Sequence, residues 1–198
     1  MLLAGTIAAP AAVAAQGASP ASPRSTPSEA QQIAAAVLPL PAEFRENAVV
    51  LGYRSGSAGL VRLREGQGPF ICLADDPAEE RFHVACYHQS LEPFMARGRA
   101  LRAEGVTGAQ VDTVRFAEVT AGTLAMPTQP AALFSLSAGP GAFDAATGAV
   151  TGGRPLFVVY IPGATTESTG LSAKPAQDTP WLMYPGTPKA HIMFVPSM

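Results

Sequence analysis

The sequence predicts a single α+β domain, a mainly antiparallel sheet of five or more strands with two or three helices packed on one face. Three observations carry that expectation. Phe70–Ala74 and Phe82–Tyr87 are apolar runs rich in β-branched and aromatic residues, and they flank a turn-forming segment from Asp75 to Arg81. Pro155–Ile161, PLFVVYI, is an unbroken apolar run of strand length, the pattern of a strand buried on both faces. Ser90–Glu104 places Leu91, Phe94, Met95 and Leu101 at helical spacing, with Arg97, Arg99 and Arg102 mostly off that stripe and Gly105 as a stop.

Met1–Ala15 is apolar, uncharged and rich in small residues, and it ends in Ala-Val-Ala-Ala before Gln16. That pattern resembles the apolar region and A-x-A cleavage site of a secretory signal, although no Lys or Arg precedes it; the alternative is an alanine-rich tail. Pro10 and the shortness of the run speak against a transmembrane anchor, which needs roughly 20 apolar residues. Gln16–Pro27 reads as a flexible Pro/Ser/Ala linker, leaving Ser28–Met198 as the folded domain. Ser28 can cap a helix carrying Ile33, Val37 and Leu38, which Pro39 and Pro41 stop.

Ala48–Arg54 and Gly59–Glu65 read as strands, the second with Arg62 and Arg64 alternating against Val61 and Leu63. With the two runs around Asp75–Arg81 they predict a four-stranded antiparallel meander over Ala48–His88. Gly108–Gly122 fits neither a helix nor a strand template cleanly. Ala138–Arg154 reads as a surface loop or irregular hairpin, and Thr165–Leu171 as a short helical turn. Pro180–Tyr184 and Ala190–Val195 are further apolar segments around Pro185-Gly186-Thr187-Pro188.

If the central hairpin closes around residue 79, Cys72 falls opposite Cys86. Directly opposed antiparallel residues lie about 4.5–5.5 Å apart at Cα, within disulfide range. The competing possibility is a pair of buried thiols, and compartment decides between them.

The strings LREGQGPFICLADDP (Leu63–Pro77) and GLSAKPAQDTPWLMYPGTPKAHIMF (Gly170–Phe194) resemble an uncharacterised family of exported bacterial proteins. Its members share an LREG…C…P segment, a second cysteine matching Cys86, and a closing PW-x-M-x-x-GTP-x-AH-x-M block. The resemblance implies a shared fold and export and carries no activity. Where the family has an acid two residues after the second cysteine, this chain has His88, which counts against His88 as an essential ligand.

No nucleophile elbow, Walker loop or dinucleotide fingerprint occurs. A net charge of −2 without a basic cluster argues against a nucleic-acid partner. The candidate metal ligands are His83 and His88, with His191 and an acid among Asp75, Asp76, Glu79 and Glu80. Their spacing matches no zinc signature, and His83 and His88 should face opposite sides of one strand. In the closing block, His191, Tyr184, Trp181 and Tyr160 are candidate ligand-binding residues, and a buried, hydrogen-bonded structural His191 is the competing role. No cofactor is expected, with zinc or another divalent metal as the alternative. The expected function is an exported, non-enzymatic protein that binds a small ligand or envelope component. The alternative is a metal-dependent hydrolase using His191 with His83 or His88 and a nearby carboxylate.

Overall fold

The chain enters the fold through a reciprocal cap. Ser28 Oγ accepts a hydrogen bond from the Gln31 amide at 3.3 Å, and the Gln31 side-chain oxygen accepts one from the Ser28 amide at 2.9 Å. This opens α1 (Glu29–Ala36), which buries Gln32, Ala35 and Ala36. The computed structural model describes residues 25–57 and 59–196; the expected signal segment and most of the expected linker lie outside them.

After α2 (Ala42–Arg45) come β1 (Val49–Gly52), β2 (Val61–Arg64), β3 (Phe70–Leu73) and β4 (Phe82–His88). They do not form the expected meander. β1 lies between β2 and β3, antiparallel to the first and parallel to the second. The glycines of the β2–β3 connection allow this. A Cβ on Gly66 would stand 2.3 Å from the Asn47 carbonyl oxygen, and one on Gly68 2.8 Å from the same atom. Gly68 N also donates to that oxygen at 2.8 Å. Only residues without a side chain let the connection cross so close to the start of β1.

β3 and β4 form the predicted hairpin in the predicted register, with Cys72 opposite Cys86 and a disulfide joining them. A 3₁₀ turn (Gln89–Leu91) then leads into α3 (Glu92–Ala103), and α4 (Gln110–Thr120) follows. β5 (Ala131–Ala138), β6 (Arg154–Tyr160), α5 (Thr166–Thr169), β7 (Trp181–Met183) and β8 (His191–Phe194) complete the chain. All eight strands form one sheet in the order β2-β1-β3-β4-β5-β6-β8-β7, antiparallel except for β1 with β3. The architecture is α+β. Among the described residues no helix is long and apolar enough to cross a membrane.

The helices divide between the two faces instead of sharing one. Consecutive strand residues point to opposite sides. Val50, Phe70, Cys72 and Cys86 pack with α1 and with Phe44 of α2. Ile71, Leu73, Tyr87 and Leu133 pack with Leu91 and with Met95 of α3. α4 lies against α3, where the Arg115 guanidinium sits 3.8 Å from the Phe94 ring centre. On the α1 side the far half of the sheet stays open. Phe157, Val159 and Phe194 are each more than a third exposed, so β6 is buried on one face and not on both as its unbroken apolar run suggested.

Arg97 pairs with Glu118 and Glu104, and Arg99 bonds Glu92 and the Tyr87 hydroxyl. Arg102 donates to the Gly98 carbonyl. The α3 arginines are therefore committed to bonds within the fold.

Candidate functional site

The closing block builds a tight turn between β7 and β8. Tyr184 has φ 52°, a left-handed conformation costly for an aromatic residue and doubly unusual immediately before a proline. The turn is tied down from several sides. Thr187 Oγ1 donates to the Tyr184 carbonyl at 2.8 Å, Gly186 N to Ala164 O at 2.7 Å, and Gly163 N to Thr187 O at 2.9 Å.

Beneath the turn lies His191, 6 % exposed, its Nδ1 donating to the Lys189 carbonyl at 2.6 Å. That bond fixes the tautomer and leaves Nε2 as the acceptor. Burial, only partly offset by the bond to Lys189, holds the imidazole pKa below its ordinary value, so the ring is neutral at pH 7. The Tyr160 and Tyr184 rings flank it at 4.9 and 5.6 Å between centres. Burial pushes the Tyr160 hydroxyl up to about 12. Trp181 sits in β7 opposite Met193, buried, its indole Nε1 without a hydrogen-bond partner among the described residues. Three of the four candidates, Tyr160, Tyr184 and His191, thus form one aromatic cluster, and the geometry of His191 is that of a pillar under the turn.

The metal candidates do not converge. His83 and His88 stand five residues apart in β4, about 17 Å along the strand and on opposite faces. His191 lies in β8, three strand spacings from β4, about 14 Å away across the sheet. His88 caps the 3₁₀ turn, its Nδ1 accepting from Ser90 N at 3.2 Å. His83 faces a small hollow of about 170 Å³ beside Asp75, Asp76 and Glu79. Among the described residues no group of three or more His, Cys, Asp or Glu side chains comes together in a way that could hold a metal ion.

A separate concavity lies on the α1 side of the sheet. A cleft of about 620 Å³ opens between α1, the β3–β4 turn and the 142–151 hairpin. Its floor is apolar: Ala35 and Phe82 are 3 % and 1 % exposed, and the Phe143 ring stacks on Phe82 with centres 5.3 Å apart and planes 16° apart. Its rim is polar, from Ser28, Gln31 and Asp75, and no basic residue lines it among the described residues. Asp75 Oδ1 accepts the His83 amide at 2.8 Å, which fixes the carboxylate. Gln31 Nε2 donates to the Ala145 carbonyl at 3.1 Å and ties the hairpin to α1.

That hairpin is held by its own bonds. Phe143 pairs with Val150, and Asp144 accepts bonds from Thr147 Oγ1 and the Ala146 amide, which hold its carboxyl below the usual range.

Sequence reasoning missed Gln31, Phe82 and Phe143 as lining residues. The one local signal was Phe143, a lone aromatic in a Gly/Ala-rich loop. Comparison with protein-family profiles, curated proteins and solved structures finds no match to the chain.

Proposed function

We propose that this is an exported, non-enzymatic binding protein whose small ligand occupies the cleft between α1 and the 142–151 hairpin. One observation carries the reading: an apolar floor of Ala35, Phe82 and Phe143 under a polar rim, in a volume suited to a small molecule. The floor accepts an aromatic or branched aliphatic body through burial of apolar surface. The rim supplies acceptors, among them the Asp75 carboxylate that the His83 amide holds in place, so the complementary head group is an amine or another donor-rich group. Export is supported by the Cys72–Cys86 disulfide, a bond that persists in oxidising compartments. No specific observation favours the metal-dependent hydrolase.

Calorimetric titration with phenethylamine, a phenyl body carrying an ammonium, tests the reading. Saturable binding should weaken about tenfold in Asp75→Asn, the order expected for removing one charge from a charge-assisted bond. The neutral 2-phenylethanol should bind more weakly and not respond to that substitution. Equal affinities for Asp75→Asn and the parent protein would refute the assignment of the head-group site.

A further inference from the structure

On the opposite face of the sheet, two cations share one carboxylate. Asp112 of α4 pairs with Arg115 through Oδ1 and with Lys189 Nζ through Oδ2, the latter at 2.8 Å. Burial works against the charge on Asp112, but the bonds from Lys189 and Arg115 outweigh it and hold the carboxyl below its usual range. The three groups therefore sum to one net positive charge.

That charge is not free to meet solvent everywhere. Arg115 is 5 % exposed, spends one guanidinium nitrogen on the Phe94 carbonyl at 3.1 Å, and has no hydrogen-bond partner for Nε among the described residues. The buried Arg115 guanidinium is met by Asp112, so the excess positive charge lies at the partly exposed Lys189 end of the cluster, where a counter-charge can reach it. The side open to solvent is the one carrying Lys189 and Asp112, each about a fifth to a quarter exposed, and the half-exposed Tyr184 ring, which lies 4.5 Å from Lys189 Nζ. Behind that ring stand His191 and Tyr160.

We infer that the Arg115–Asp112–Lys189 cluster beside the Tyr184 turn is a second binding site, for a small monoanionic carboxylate with a planar body. The carboxylate takes the positive charge that Asp112 leaves uncompensated, and the body lies against the Tyr184 ring. The site is on the α4 side of the sheet and the cleft is on the α1 side, so either assignment can fail without the other.

Benzoate is the probe, with benzamide as its neutral counterpart, and fluorescence of Trp181, the chain's single tryptophan, is the signal. Benzoate should give a saturable change below about 10 mM, the affinity range of one charged contact, and benzamide should not. Lys189→Met, a change at the accessible edge of the cluster, should weaken benzoate about tenfold. Asp112→Asn, which leaves both cations uncompensated, should tighten it by a similar factor. If Asp112→Asn fails to fold, Lys189→Met decides alone. Equal binding of benzamide, no saturable change with benzoate, or no weakening in Lys189→Met would each overturn the inference.

Discussion

Removing the Cys72–Cys86 bridge should lower stability by about 3 kcal/mol, the chain-entropy value for closing a loop of this length. For a domain of this size that corresponds to a fall of about 6–12 °C in melting temperature. Both cysteines are fully buried in the α1-side core beside Val50 and Phe70, so the double Cys72→Ala, Cys86→Ala variant also loses packed sulfur. The bridge joins two strands already paired in register, and its contribution lies mainly in the unfolded chain. Far-ultraviolet dichroism of the folded variant should therefore be unchanged. Thermal melts of parent and variant, each with and without reductant, make the measurement. A variant that melts with its parent would show that the bridge adds nothing to the hairpin, and two titratable thiols in the denatured, unreduced parent would show that it does not form.

The second large effect is expected at His191. His191→Ala orphans the Lys189 carbonyl that Nδ1 now satisfies at 2.6 Å and leaves a cavity between Tyr160 and Tyr184. An unsatisfied buried acceptor plus a partly collapsed ring cavity costs about 2–4 kcal/mol. The pH dependence has a definite sign. The folded pKa lies below the unfolded value of 6.5, so the folded state takes up the proton less readily than the unfolded chain. Its stabilisation is fully present above pH 6.5 and is lost as pH falls through the folded pKa. Urea midpoints between pH 5 and 8 should drop more steeply on the acid side for the parent than for His191→Gln, which keeps a donor and does not titrate. Parallel pH profiles would contradict a buried neutral imidazole, and an unchanged melting temperature in His191→Ala would contradict the pillar role.

Much of this architecture was legible because it is local. The symmetry of Cys72 and Cys86 about residue 79 needed only the strand period and a turn-rich centre, and it gave the register the structure shows. α4 was ambiguous for a physical reason: its buried face carries Arg115, laid over Phe94, where a helical stripe would show an apolar residue. The parallel pairing of β1 with β3 was hidden because it depends on the close approach of Gly66 and Gly68 to Asn47, a contact the glycines permit without announcing.

The division of the helices between two faces was equally out of reach. The apolar run of β6 looks the same whether both faces are covered or Phe157 and Val159 remain partly open. The closing block drew attention through its unusual residues, and His191, Tyr160 and Tyr184 do meet. The cleft stayed invisible because Gln31, Asp75, Phe82 and Phe143 come from four separate stretches, and only the folded chain assembles them.

The central claim is that the cleft between α1 and the 142–151 hairpin is where a ligand sits. Amide chemical-shift mapping of the folded protein during a phenethylamine titration tests it most directly. The account predicts a single saturable set of shifts, largest at Gln31, Asp75, Phe143 and Ala145, on both walls of the cleft and on its carboxylate. Saturable shifts centred instead on the Tyr184 turn, or no saturable shifts at those four residues, would contradict it.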